Sequence, residues 1–424
     1  MNVDPPAKIA ILGAGPIGLE TALYARYLGY KVALYEKGNR PAASVRDWGH
    51  VQLFTPFAMN ASPLGVAALQ AQDTNYQPPF ADECLTGDAF CDRYLDPLAT
   101  SDLLADGLQL NSQVRSIGRP LHRKVEAVGS PERSEEGFRI LLINSEGREE
   151  IDSADIVIDC SGTFGNSNPV GQGGVPAIGE KTASKEIEQG LPDIFSSERE
   201  TYAGKHTLVI GSGYSAATNV TRLAELAKRE PGTRITWLTR KSERELPIQR
   251  IPGDTLADRD SLAQEANQLA IEESPATWLT TQGIHAIEFD RDAGGFAVTL
   301  AEDDTPPIKA DRIIANVGFR PDTSPYGELQ VHQCYASEGP MKLAAALLRD
   351  KSQNDGHVDC LKQASCGPES LITTEPNFYV LGAKSYGRNS QFLMRTGLEQ
   401  IRDLFTIIRG REDLDLYATM PKIA

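Results

Sequence analysis

KIAILGAGPIGLETALYARYLGYKVALYEK, running from Lys8 to Lys37, decides the fold. An apolar run, Ile9 to Leu12, meets Gly13, Gly15 and Gly18. An amphipathic stretch follows, and a second apolar run, Val32 to Tyr35, ends in Glu36. The order is strand, helix, strand: a βαβ unit. Gly13 suits the tight turn, Gly15 the close approach of a pyrophosphate to the backbone, and Gly18 the packing of helix on strand. A helix opening at Pro16 aims its free N–H groups and positive end at the phosphates. Glu36, 18 positions beyond Gly18, stands where an acid accepts hydrogen bonds from a ribose diol. The stretch therefore predicts a dinucleotide site.

A second unit of the same kind begins at Thr207. The strand Thr207 to Ile210 enters GSGYSA, which supplies Gly211, Gly213 and Ala216, the GxGxxA variant of the turn. Ser215 to Ala227 reads as its helix, with Ser215 at the phosphate end. The next strand, Arg234 to Thr239, ends in Arg240 and Lys241 where the first unit ends in an acid. An acid there repels the 2′-phosphate of NADP, whereas a guanidinium pairs with it bidentately, so this unit predicts NADPH over NADH.

Between the two units, Arg40 to Gly65 shows no sustained period and is expected to be a long loop at the carboxyl ends of the strands. Arg46, Trp48, Thr55 and Asn60 are its candidate cofactor-facing residues. Asp92 to Ala105 has helical spacing. Leu108 to Ile117 reads as a strand carrying Val114, a further cofactor candidate, and Phe138 to Asn144 as another. ADIVIDCSGTFGNSNP, Ala154 to Pro169, is a buried strand stopping in small residues, so that a ligand can cross its end at Ser161 and Gly162. Gln172 to Gly204 reads as a connecting segment. Beyond the second unit, Ile284 to Ile308 reads as a β-meander and Asp311 to Pro325 carries a closing strand. Phe378 to Leu381 is a strand, Gly382 to Asn389 a loop, and Ser390 to Ile408 a helix whose positive end suits an anionic ring atom.

Taken together, the motifs resemble those of the two-dinucleotide-binding-domain flavoproteins, nearest to the flavin-containing monooxygenases. The resemblance rests on the first turn with Glu36, on CSGTFGNSNP, on YAGKHTLVIGSGYSA and on NVGFRPD. It implies an α/β fold of two Rossmann-like domains. An FAD domain (1–170 and 326–424) would be interrupted by an NAD(P)H domain (171–325). FAD would sit at Gly13, Gly15, Gly18, Glu36, Trp48, Val114, Ser161, Gly162, Gly382 and Ser390. NADPH would sit at Gly211, Gly213, Ser215, Arg240 and Lys241. In the implied reaction hydride passes from NADPH to FAD, molecular oxygen is activated and a small organic substrate is oxygenated. Arg46, Asn60 and Arg388 are the catalytic candidates, stabilising negative charge. The chain departs from the family in three places. The histidine fingerprint before the second turn is replaced by GLPDIFSSERETYAGKH. The GGxW cluster becomes Val45, Arg46, Asp47 and Trp48. The Gly-Asp pair near the C-terminal flavin contact becomes Gly382, Ala383 and Lys384. These departures keep open an NADPH-dependent flavin reductase or dehydrogenase without oxygen insertion; the non-CxxC cysteines keep open a thiol-linked reductase, and because a fold does not by itself fix a function, a nucleotide-binding sensor stays open too.

Composition narrows the partners. A formal charge of −16 over 424 residues and a pI near 4.9 disfavour nucleic acid and anionic membranes, both of which demand basic patches. No stretch approaches the ~20 apolar residues that span a bilayer, and the N-terminus shows no signal pattern, so a cytoplasmic location is expected. Oligomeric state is left open, with a homodimer among the options. Six cysteines, Cys84, Cys91, Cys160, Cys334, Cys360 and Cys366, form no CxxC pair. His332, Cys334, His357, Cys360 and Cys366 share one irregular segment, yet their spacing fits no common zinc module, and no metal is expected.

Overall fold

The computed structural model describes residues 3–240, 246–271, 274–301, 306–353, 361 and 363–423. The chain divides into two compact units. The first is built from Met1–Asn166 and Arg320–Ala424, the second from Ser167–Phe319.

The first unit holds strands β1 (Lys8–Leu12), β2 (Lys31–Tyr35), β3 (Leu108–Gln109), β4 (Ser112–Gly118), β5 (Phe138–Asn144), β6 (Glu149–Ala154) and β7 (Ile156–Asp159). The second holds β8 (Ile187–Glu188), β9 (His206–Ile210), β10 (Arg234–Arg240), β11 (Ala276–Thr281), β12 (Ile284–Asp290), β13 (Gly295–Leu300), β14 (Ile308–Ala310) and β15 (Arg312–Ala315). The last strand, β16 (Phe378–Val380), returns to the first unit. The longer helices are α1 (Pro16–Tyr27), α2 (Pro63–Gln72), α3 (Tyr214–Arg229), α4 (Ala257–Ile271), α5 (Met341–Gln353) and α6 (Met394–Arg409).

In the first unit a parallel sheet runs β16-β7-β1-β2-β3. Side chains alternate across it because successive Cβ atoms point to opposite faces. Ile9 and Ile11 pack with the helical layer, beside Leu19, Leu23, Ile401 and Phe405. Ala10 and Leu12 pack with Val114, Phe138 and Ile140 of the antiparallel sheet β4-β5-β6. The second unit repeats the plan with the sheet β11-β10-β9-β15-β8. Val209 joins the helical core with Val220, Leu223 and Ala263, while Leu208 and Ile210 meet Ile284, Phe296 and Val298 of the sheet β12-β13-β14. Each unit is thus a parallel sheet with helices on one face and a three-stranded meander on the other.

A buried ionic cluster closes the first unit far from its turns. Glu375 bonds the Arg119 Nε at 2.8 Å and the Arg133 Nε at 3.0 Å, and all three side chains are almost wholly buried. It ties the segment after β4 to the one before β16.

Several expectations need correction. Arg40 to Gly65 is not a plain loop. Ala43–Arg46 forms a helical turn, Phe57–Met59 a 3-10 turn, and Pro63 opens α2, where the Ser62 hydroxyl caps the Gly65 N–H at 2.8 Å. Leu108 to Ile117 splits into β3 and β4 around Asn111, whose φ of 52° breaks the extended run. Glu149–Ala154 is a strand (β6) in a stretch that offered no reading before Ala154, Ile187–Glu188 an edge strand (β8) within the segment read as a connection, and Met341–Gln353 a helix (α5) within the segment read as irregular. Short edge strands gain their stability from the partner strand, which local pattern does not report.

Candidate functional site

The first turn forms a cradle at the carboxyl end of β1. Gly13 adopts φ +90°, its N–H bonds the Tyr35 carbonyl at 2.7 Å, and a Cβ there would lie 2.8 Å from Ser161 Cα. A Cβ on Gly18 would meet the Gly13 carbonyl oxygen at 1.8 Å, whereas one on Gly15 would meet nothing within 4 Å among the described residues. Gly18 is therefore consumed by packing, and Gly15 faces open space. Gly15 also begins α1 without a capping side chain and with no acid in the first turn. The first N–H groups of this 12-residue helix are left for an anion. Glu36 is 7% exposed, and its two carboxylate oxygens accept from the Ala14 and Gly38 N–H groups at 2.9 and 2.8 Å. Two further lone-pair positions stay open for a hydroxyl pair.

On the other side of β1, the end of β7 carries a polar knot. Asp159 Oδ1 accepts from the Ser161 N–H (3.0 Å) and hydroxyl (2.6 Å), and its Oδ2 pairs with Lys384 Nζ at 2.6 Å. Lys384 Nζ also donates to Ser161 Oγ at 2.9 Å and lies 5.3 Å over the Tyr326 ring. Gly382, just after β16, bonds the Gln400 side chain of α6 through its N–H at 3.0 Å. Gly162 adopts φ +68°, and a Cβ there would meet nothing within 4 Å among the described residues.

The other candidates of this unit have other surroundings. Arg46 pairs with Asp88 and Asp96 at 3.0 and 2.6 Å and also with Asp92. Three carboxylates around one guanidinium leave net negative charge, which opposes rather than favours an anion. Asn60 is buried and closes on Thr55, donating to its carbonyl at 2.9 Å and accepting from its hydroxyl at 2.8 Å. Trp48 is half-buried against Gly87, whose Cβ would sit 2.8 Å from the indole. Val114 points into the core. Arg388 is exposed and pairs with Glu338 at 2.6 Å. Ser390 is exposed and precedes α6, which begins at Met394.

In the second unit, a Cβ on Gly211 (φ +134°) would meet the Asn316 carbonyl oxygen at 2.2 Å, while one on Gly213 would meet nothing within 4 Å among the described residues. Trp237, fully buried, donates its indole N–H to the Gly211 carbonyl at 2.8 Å. Asn316 and Asn219 bond each other at 2.8 Å and both reach the Gly190 carbonyl. None of these three side chains is visible as a turn residue from sequence spacing. Ser215 is exposed in the first turn of α3, which has neither a capping side chain nor an acid there. Arg240 is exposed at the carboxyl end of β10, without an ion pair among the described residues. Lys241 lies outside the described residues.

The cysteines offer no paired chemistry in the described residues. Cys91, Cys160, Cys334 and Cys366 are free thiols. Cys160, beside the first turn, shares a 3.7 Å contact with the Thr21 hydroxyl, and burial pushes its thiol up to about 12. Such a thiol is inert at neutral pH. His357 and Cys360 lie outside the described residues, and among those described no three His, Cys, Asp or Glu gather as metal ligands do. No described helix is long and apolar enough to cross a membrane.

No family model matches the chain, and no curated protein matches it by sequence. Solved structures do match along almost the whole length. A bacillithiol disulfide reductase from Bacillus cereus is 17% identical with TM-score 0.62, covering 96% of this chain and 99% of that one. The FAD-bound cadaverine monooxygenase of desferrioxamine biosynthesis from Erwinia amylovora is 14% identical with TM-score 0.61, covering 97% and 96%. A flavin-containing monooxygenase from Stenotrophomonas maltophilia is 16% identical with TM-score 0.54, covering 95% and 98%. The fold is that of the two-dinucleotide-binding-domain flavoproteins. The two glycine turns each lie at the carboxyl ends of the strands of a parallel sheet, the end at which open α/β sheets bind ligands.

Proposed function

We propose that this chain is an FAD-dependent oxidoreductase that takes hydride from NADPH and oxygenates a small organic substrate. The observation that carries the cofactor reading is the pairing of two cradles with opposite chemistry at their second strands, Glu36 after β2 and Arg240 at the end of β10. In each cradle one glycine faces open space and the next helix begins uncapped. That is the form a pyrophosphate needs.

The first unit holds FAD. Glu36 accepts from the adenosine ribose hydroxyls, the N–H groups opening α1 bind the pyrophosphate, and the residues after β7 and β16 receive the remainder. The second unit holds NADPH, with α3 at the pyrophosphate and Arg240 at the 2′-phosphate, a pairing an acid would oppose. FAD, when bound, supplies two-electron chemistry that no side chain offers. Two of the similar structures are oxygenases, and Cys160, the described thiol that touches the first turn, is pushed up by burial to about 12, away from the range of a redox thiol; both support oxygenation.

The second reading is an NADPH-dependent reductase without oxygen insertion. It is favoured by the likeness to a disulfide reductase and by the engagement of Arg46 with three carboxylates.

The test is an absorbance spectrum of the purified protein, then an anaerobic NADPH titration, then admission of labelled dioxygen with a panel of amines, thioethers and disulfides. The expected results are a flavin spectrum, bleaching by NADPH and label in an organic product. Turnover that consumes an organic acceptor with no label transfers the assignment to the reductase. A colourless protein that takes up no added FAD overturns both readings.

A further inference from the structure

We propose that the buried Asp159–Lys384 pair positions Ser161 so that its hydroxyl accepts a hydrogen bond from the ribityl chain of bound FAD. The proposal rests on the FAD reading above. Three observations support it.

Sheet order gives the direction. The strands run β16-β7-β1-β2-β3, with Glu36 following β2, the phosphate turn following β1, and Ser161 and Lys384 following β7 and β16. A dinucleotide whose adenosine ribose is at Glu36 and whose pyrophosphate is at Gly15 therefore carries its other half toward Ser161.

The hydrogen-bond inventory gives the chemistry. The Ser161 hydroxyl donates its single O–H to Asp159 Oδ1 at 2.6 Å, and one of its lone pairs accepts a hydrogen bond from Lys384 Nζ at 2.9 Å. One lone pair remains. The Ser161 N–H is also spent on Asp159, at 3.0 Å. An exposed group with only a lone pair to offer repels phosphate oxygens and selects a hydroxyl donor, and the polyol of the flavin half is the donor that the sheet order brings there.

Burial gives the cause. Lys384 and Asp159 side chains are 2% and 0% exposed, while Ser161 is exposed. A buried ion pair is weak evidence for stability, since an apolar pair of similar volume does as well. Its specific effect here is to fix the rotor of an exposed hydroxyl.

Apoprotein titrated with FAD and, separately, with ADP tests this. ADP keeps the ribose and both phosphates but has no ribityl chain. Ser161→Ala and Lys384→Met should each weaken FAD between about threefold and tenfold, the range of one neutral hydrogen bond, and leave ADP unchanged. The double variant should be no weaker than the weaker single one, because both act through one contact. Because Lys384→Met strands a buried carboxylate, Asp159→Asn/Lys384→Met is measured beside it, with melting curves for all, and should show the same FAD-only loss. FAD affinity unchanged in all variants, additive losses, or parallel loss of ADP each overturn the proposal. Failure of the wild-type protein to bind FAD overturns instead the reading on which it rests.

Discussion

Replacing Gly15 by alanine should separate binding from folding, and replacing Gly18 should not. At Gly15 the backbone has φ −76° and ψ −175°, which alanine adopts freely, and an added methyl meets nothing within 4 Å. Alanine gains about 0.4–1 kcal/mol through a less flexible unfolded chain and loses a comparable amount as a poorer N-cap than glycine. The ligand-free melting temperature should therefore stay within about 4 °C of wild type. The methyl, however, occupies the space a pyrophosphate needs. Losing one charge-assisted N–H contact of about 1.5–3 kcal/mol weakens FAD roughly 10- to 150-fold. At Gly18 the same methyl falls 1.8 Å from a backbone oxygen that cannot swing aside. Such overpacking costs about 1–3 kcal/mol, so Gly18→Ala should melt several degrees lower even without ligand. Fluorescence titration of apoprotein with FAD, beside calorimetric melts, gives both quantities. Wild-type FAD affinity in Gly15→Ala, or wild-type melting in Gly18→Ala, would refute the assignment of open and filled faces.

Arg240→Ala should lower the efficiency of flavin reduction by NADPH about two- to fivefold, a modest loss because the site is exposed, and leave NADH unchanged; stopped-flow reduction with both nucleotides checks it. Glu375→Gln leaves two buried guanidinium groups without their carboxylate and should cost about 3–5 kcal/mol, read as a fall in melting temperature, whereas an unchanged melt would show the cluster to be solvated. The Glu20 carboxyl is raised above 4.5, chiefly by burial and despite bonds from Ser62 and Tyr94. Its raised native value favours the fold below the unfolded value, and that contribution is lost as pH rises through the native one. The melting temperature of Glu20→Gln relative to wild type should therefore climb from pH 4 to pH 8. A constant difference across that range would show that Glu20 does not titrate there.

The geometry of both glycine turns and the place of Glu36 beside the first were legible because their information is local: glycines at fixed offsets, bounded by apolar strands. The environment of Arg46 was not, since Asp88, Asp92 and Asp96 reach it across more than forty positions and convert a candidate anion site into a saturated cation. Asn60 looked available and is closed on Thr55, a bond only the turn at Phe57–Met59 creates. Lys384 stood out as a departure from the Gly-Asp pattern, but its partners Asp159 and Ser161 lie over two hundred positions earlier and meet it only through β7 pairing with β16. Trp237 and Asn316 support the second turn from neighbouring strands for the same reason. Long-range pairing, rather than weak local signal, is what hid these residues.

The split of the first unit into Met1–Asn166 and Arg320–Ala424 has a consequence for biosynthesis. The edge strand β16 and the helix α6, which fill its sheet and its helical layer, emerge from the ribosome only after the whole intervening unit. The second unit has all its strands by Ala315 and is free to fold first. Until synthesis passes α6, the nascent amino-terminal segment carries an unfinished apolar surface that a chaperone is suited to cover, and any ligand that needs β16 beside β7 has to wait until α6 has emerged.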